Sequence, residues 1–203
     1  MILTRGESLK EKIARVVREH VEICPYDPAW PGMFAAEKAH LLACLPRDLI
    51  LQVEHYGSTA VPGLDAKPVV DMLVLVRDLE MIREKVPPVL EAQGYDYFWR
   101  PTSGDHTPPF YAWFIKRNPQ GQRTHHIHMV ESGFPQCQGL VFRDYLREFP
   151  ETARAYARLK RKLAAAHPGD RVAYTREKTG FIRHHTQKAR AYFGLDTPGP
   201  DSD

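Results

Sequence analysis

The stretch VEHYGSTAVPGLDAKPVVDMLV, residues 53–74, decides the fold. It joins two β-forming runs, residues 49–56 and 69–76, through a Gly-Ser step, a Pro-Gly pair and a lysine, none of which a plain hairpin requires. The second run, VVDMLVLV, is so apolar that both of its faces must be covered, which predicts an interior strand. One carboxylate, Asp71, interrupts it. Inside an apolar strand that carboxylate needs a cation or hydrogen-bond donors to offset its desolvation.

Two readings of Asp71 follow. Lys67, four residues earlier, can neutralise it in a buried or half-buried ion pair; or Asp71 is a hard oxygen ligand for a divalent cation that also carries substrate phosphates. The Gly57-Ser58 step divides the same way. Glycine lets a ligand approach the backbone closely, while Ser58 and Thr59 offer hydroxyl and N–H groups to phosphate oxygens. The plainer alternative is a turn closed by a serine or threonine hydrogen bond. Glu54 and His55, just before the turn, either join such a site or tie the turn to a neighbouring strand.

Further along, THHIHMVE sets His126 and His128 two apart on a predicted strand, so both imidazoles point to one face, while His125, Ile127, Met129 and Glu131 point to the other. An H-x-H pair suits Zn²⁺, Mn²⁺ or Fe better than Mg²⁺, although such histidines can equally bond a neighbouring strand or sit on a polar face. Residues 143–190 hold 13 Lys or Arg against 5 Asp or Glu, a local excess that the net charge of +3 conceals. Arg158, Lys160, Arg161 and Lys162 surround their helix, which is the pattern of a solvated face and does not indicate nucleic acid. A few of these cations, with Lys178, Lys160 and Arg143 as candidates, could face the Gly-Ser turn and hold phosphates.

Around these motifs the periodicity predicts an amphipathic helix over residues 7–20 and a second helix opening at Asp27-Pro28. A third helical pattern after residue 77 is expected to break at Pro87-Pro88. Aromatic strands follow, with residues 110–131 forming an antiparallel hairpin around Asn118-Pro119-Gln120-Gly121, and then three helices, the last beginning near Arg176. The organisation expected is an N-terminal helix over 1–20, one domain over 21–193 and a disordered tail over 194–203. Three dispersed cysteines fit neither a disulfide framework nor a zinc knuckle, and no apolar run reaches the roughly 20 residues that span a bilayer. The expectation is a cytoplasmic protein that does not enter a membrane.

Taken together, YDPAW, VEHYGSTAVPGLDAKPVVDMLV, HHIHMVE, FRDYLREFPETARAYARLKRKLA and REKTGFI resemble the GrpB family in order and spacing, from about Ile23 to Tyr192. The resemblance implies an α+β, nucleotidyltransferase-like fold: a mixed β-sheet with flanking helices and a helical C-terminal part, in which the Gly-Ser turn holds phosphate and the acid-bearing strand holds metal. It also implies a metal-dependent nucleotidyltransferase acting on a nucleoside triphosphate, with Asp71 catalytic, Gly57, Ser58, Thr59, Lys67 and Lys178 on the phosphates, and Mg²⁺ or Mn²⁺ as cofactor. Similar domains fused to dephospho-CoA kinase point to a nucleotide or coenzyme-A-type ligand. The sequence departs from the pattern. Such enzymes carry a second acid two residues after the first and a third on a neighbouring strand; here the second position is Leu73, and the strand that could supply the third offers His126 and His128, with Glu131 a candidate further along. Either Asp71, His126 and His128 form a rebuilt one-metal site, with Zn²⁺ then possible, or the fold is kept for noncatalytic binding of a nucleotide or another phosphorylated small molecule.

Overall fold

The run around Asp71 is a strand, β2 (Val70–Val76), and it lies inside a five-stranded mixed sheet. In the computed structural model, which describes residues 8–102 and 107–196, the other strands are β1 (Ile50–Tyr56), β3 (Asp96–Pro101), β4 (Phe110–Arg117) and β5 (Arg123–Val130). Their order is β1-β2-β5-β4-β3, with β2 and β5 parallel and the other neighbours antiparallel. The parallel register sets Asp71 beside His126 and Leu73 beside His128.

Alternation along β2 sends Met72 and Val74 to one face and Asp71 and Leu73 to the other. The Met72 face packs against α2 (Trp30–Cys44) and α3 (Leu79–Glu91), where Trp30, Leu41, Ile82, Val86 and Leu90 meet Phe114, Ile127 and Met129. On the Asp71 face, Leu73 joins Phe98, Tyr111, Trp113, Ile115 and Val130, with Val16 of α1 (Leu9–Arg18) and Leu140 of α4 (Gln138–Glu148) laid over them. Helices α4, α5 (Pro150–Ala166) and α6 (Arg171–Tyr192) pack on one another and form the helical carboxyl third. The α+β architecture with a mixed sheet and C-terminal helices is therefore the one expected. No helix among the described residues is long and apolar enough to cross a membrane. The expected disordered tail falls mostly on residues 197–203, outside the described residues.

Three boundaries differ from the sequence reading. Helix α3 runs through Pro87 and Pro88 instead of breaking there. Each proline removes one backbone donor, but Val86 and Leu90, both fully buried, bracket the pair and fix that turn against the sheet. Helix α2 starts at Trp30, because the Asp27 carboxylate accepts from the Ala29 N–H at 2.8 Å and Pro31 falls in the first turn, where a missing N–H is harmless. Helix α6 starts at Arg171, capped by Asp170, whose carboxylate accepts from the N–H groups of Val172 and Ala173 at 3.0 and 2.9 Å.

Candidate functional site

Tyr56, the last residue of β1, pairs with Asp71, so the chain that turns away at Gly57 passes directly over the Asp71 side chain. Gly57 has φ +72°, and a Cβ built on it would lie 2.7 Å from Asp71 Oδ2 and 3.0 Å from Asp71 Cβ. The close approach that glycine permits is thus made by the protein's own carboxylate. The Asp71 side chain keeps 23% of its exposure. Burial would raise its pKa, but the hydrogen bond donated by the neutral His126 and the nearby charge of Lys67 hold the carboxyl well below the usual range.

His126 lies 3.0 Å from Asp71 Oδ1 through Nδ1, and its Nε2 lies 3.2 Å from Arg123 Nη1. A guanidinium can only donate. His126 Nε2 therefore accepts, and the ring proton sits on Nδ1 and is donated to Asp71. Burial pushes the His126 pKa down to about 3 against the pull of Asp71, and Trp113 stands edge-on at 5.3 Å. His128 is packed between Tyr111 and Tyr56, with centroids at 5.6 and 5.5 Å, and burial pushes it down to about 4. Its buried Nδ1 has no hydrogen-bond partner. Ligand atoms of Asp71, His126 and His128 lie within 4.8 Å of one another. One carboxylate and two imidazoles form a donor set for a transition metal, so these residues fit a single divalent ion once His126 gives up its Nδ1 proton.

On the other side of Gly57, a single 3₁₀ turn, Ser58–Ala60, carries the serine. Lys160 of α5 reaches it: Nζ donates to Ser58 Oγ at 2.9 Å and also contacts the Asp65 carbonyl. Lys160 is 2% exposed, and burial, helped by the charge of Lys178, pushes its pKa down to about 7. The Lys160 ammonium also rests on the Tyr156 ring at 4.7 Å. Lys67, Lys178 and Arg171 have pKa values lowered chiefly by burial, and each is pulled back by the charge of Asp71. Lys178 sits over the Tyr174 ring at 5.1 Å, and the Tyr174 hydroxyl, in a side chain 1% exposed, has no partner. The ion pairs within 4.0 Å include none between Lys67 and Asp71, so the expected lysine partner is replaced by His126.

The structure gathers Asp71, Gly57, Ser58, Lys67, His126, His128, Lys160 and Lys178 on one side of the sheet. Other candidates go elsewhere. Glu54 accepts from Arg143 Nη1 and from Gln52, each at 2.8 Å, and the Arg143 guanidinium also grips Asp144 and the His55 carbonyl, so both charges are spent on joining β1 to α4. His55 lies on the opposite face, stacked on Phe34 at 4.8 Å, and its Nε2 is 3.0 Å from Thr59 Oγ1, which withdraws the Thr59 hydroxyl from any ligand. Glu131 accepts from the Leu79 N–H at 2.8 Å and caps α3. Leu73 is fully buried under Phe98, Tyr111 and Trp113, so apolar core fills the position of a second acid.

Two cations were missed by the sequence reading. Arg171 was overlooked because Asp170 was not read as a helix cap, although Gly-Asp before a periodic run is such a signal. Arg123 contacts His126 three residues away, which strict strand alternation does not predict.

A mixed sheet that holds a carboxylate under a glycine turn, with a basic helical third closing over it, places the chain in the α+β class. Its sequence matches the family model described as GrpB protein over residues 20–188, and the chain belongs to that family. It is similar to UPF0157 protein PA4798 of Pseudomonas aeruginosa, 43% identical over 85% of this chain and 69% of that one. It is also similar to the crystal structure of conserved protein GrpB from Enterococcus faecalis, with a TM-score of 0.73, 35% identity, and 85% of this chain and 99% of that chain covered. A protein named dephospho-CoA kinase, from Mycolicibacterium paratuberculosis, is 29% identical over 86% of this chain, which spans only 47% of that protein.

Proposed function

We propose that the chain binds a phosphorylated small molecule, a nucleoside phosphate foremost, with its phosphates among Ser58, Lys67, Lys160, Arg171 and Lys178. The observation that carries this reading is the charge balance. Lys67, Lys160, Arg171 and Lys178 act on the carboxylate of Asp71, and the carboxylates of Asp65 and Glu19 that also reach Lys160 and Arg171 are shared with Arg161 and with Arg117 and Arg123, so cations remain in excess. Their burial is unfavourable while that excess is uncompensated, and phosphate oxygens would relieve it by charge-assisted hydrogen bonds. The unpartnered Tyr174 hydroxyl is a further donor beside Lys178. Asp71, His126 and His128 would hold one divalent ion, Mn²⁺ or Zn²⁺ in preference to Mg²⁺, which when bound supplies charge neutralisation to the phosphates.

A second reading, metal-dependent nucleotidyl transfer, is favoured by that same three-residue donor set. Leu73 argues against its two-ion form, since no carboxylate stands where the second ion needs one. Thermal shift and calorimetric titration with inorganic triphosphate, ATP and dephospho-coenzyme A, with and without Mn²⁺, test both. The name of the dephospho-CoA kinase relative puts the last of these in the panel. Saturable binding without pyrophosphate release is the expected result. Pyrophosphate release that disappears in Asp71→Asn would favour transfer, and no response to any phosphate compound would overturn both readings.

A further inference from the structure

Beside the Asp71 cluster, three guanidinium groups converge on one carboxylate, that of Glu19. Arg117 Nη2, at the end of β4, donates to Glu19 Oε1 at 2.7 Å. Arg123 Nε, at the start of β5, makes a second close contact, and Arg171 Nη1, at the start of α6, lies 3.7 Å from Oε2. Arg123 and Arg171 are also linked to the cluster itself, Arg123 through His126 and Arg171 through the charge of Asp71. Glu19 stands just past the carboxyl end of α1, where the helix dipole disfavours a negative charge, so the arginines hold it there.

Helix α1 is fastened chiefly by charge. Lys12 pairs with Glu91 at 3.0 Å, Arg15 with Asp96 at 2.9 Å, and Arg123 Nη2 donates to the Val16 carbonyl at 2.6 Å. Of its apolar residues, Val16 is buried on the Asp71 face of the sheet, but Ile13 and Val17 remain 46% and 38% exposed. Along the helix itself the Lys12 and Arg15 side chains keep 24% and 35% of their exposure, so those two pairs contribute little and α1 depends on Val16 and on the arginine contacts at its carboxyl end. The family match takes in all three arginines and leaves out α1 and Glu19.

We propose that Arg117, Arg123 and Arg171 form a second anion subsite, next to the phosphate site proposed above, and that α1 is a strap whose Glu19 carboxylate occupies the place of a ligand phosphate. The inference rests on the phosphate-binding reading. A ligand long enough to reach both subsites, such as a chain of phosphates, displaces Glu19 and loosens α1. A ligand that stays with Ser58 and Lys160 leaves the strap closed.

The test is calorimetric titration of inorganic triphosphate into the wild-type chain, Glu19→Gln and Glu19→Ala, with hydrogen exchange followed in residues 9–18. Both variants should bind at least about fivefold more tightly than wild type, since the competing carboxylate is shared by three arginines and is more than one exposed ion pair. In the wild-type chain, triphosphate should speed exchange across α1. Equal or weaker binding by the Glu19 variants, with exchange in α1 unchanged by triphosphate, would overturn the strap while leaving the phosphate site standing. Failure of triphosphate to bind any of the three proteins would overturn both.

Discussion

A methyl group at Gly57 would lie 2.7 Å from Asp71 Oδ2 on a backbone that already has φ +72°. Gly57→Ala should therefore lower stability by about 2–4 kcal/mol in urea unfolding, of which about 1–3 kcal/mol belongs to a backbone of φ +72° and ψ −170° that essentially only glycine adopts, and the rest to the displaced carboxylate. Adding Asp71→Ala to Gly57→Ala should make the double variant more stable than the two separate losses predict, since the 2.7 Å contact with Oδ2 disappears while the backbone strain and the 3.0 Å Cβ contact remain. Strict additivity would contradict the packing of the carboxylate on the glycine. Asp71→Asn can still accept the His126 proton but no longer offsets Lys67, Lys160, Arg171 and Lys178, so it should cost about 2–4 kcal/mol. At this scale the sequence revealed that Asp71 needs a partner. It offered Lys67 as an ion-pair partner and joined His126 to Asp71 only through a shared metal, because the parallel register that sets the two side by side joins residues 55 apart and nothing local encodes their direct hydrogen bond.

Helix α5 packs Tyr156 and Ala157 against Val61 and Leu64 beyond the Gly-Ser turn, and reaches the turn with the buried Lys160, bonded to Ser58 Oγ and to the Asp65 carbonyl. The sequence offers Lys160 as a candidate but does not show which of Arg158, Lys160, Arg161 and Lys162 faces the turn. What distinguishes it is which side of α5 faces the turn: Lys160 is 2% exposed, whereas Arg161 reaches out to Asp65 with 60% of its side chain in solvent. Lys160→Met should preserve the fold, changing stability by no more than about 2 kcal/mol, because an apolar side chain of similar length replaces a desolvated charge at the expense of two hydrogen bonds. The same substitution should weaken triphosphate binding by about tenfold or more. A variant that unfolds, or one that binds as wild type does, would show that Lys160 is only a strut between α5 and the turn. The helix boundaries followed a similar logic. A turn closed by the Asp27 carboxylate and a cap at Asp170 set two starts, and tertiary packing around Val86 and Leu90 carried α3 through its prolines.

Across the whole molecule, His55, His126 and His128 are all held neutral by burial, with pKa values pushed down to about 4, 3 and 4. In the unfolded chain they titrate near 6.5, so between about pH 6.5 and 4 the unfolded state binds protons that the native state refuses. Their contribution is complete above pH 6.5 and is lost as the pH falls, at up to about 1.4 kcal/mol per pH unit for each proton. Asp71, with its pKa depressed, adds stability that is lost only below about pH 3.9. Urea midpoints at pH 7.0, 5.5 and 4.5 should therefore decline in that order, and the decline should be shallower in His55→Gln. A flat profile would contradict the neutral burial of these rings.

The fold was legible at this scale because five strands and the carboxyl helices carry their own hydrophobic periodicities, and the GrpB pattern runs through them. The sheet order and the full set of side chains around Asp71 were not legible. They come together where β1, β5, α5 and α6 meet, and Arg171 and Tyr174, which complete the cluster, belong to no motif of their own.

The central claim is that buried cations around Asp71 and Ser58 receive phosphate. Its most direct test is calorimetric titration of inorganic triphosphate into the wild-type chain and Lys160→Met under the same salt and pH, with both proteins shown to be folded by their melting curves. The account predicts saturable one-to-one binding to the wild type and a loss of about tenfold or more in the variant. Absence of binding to the wild type, or equal binding to both, would contradict it.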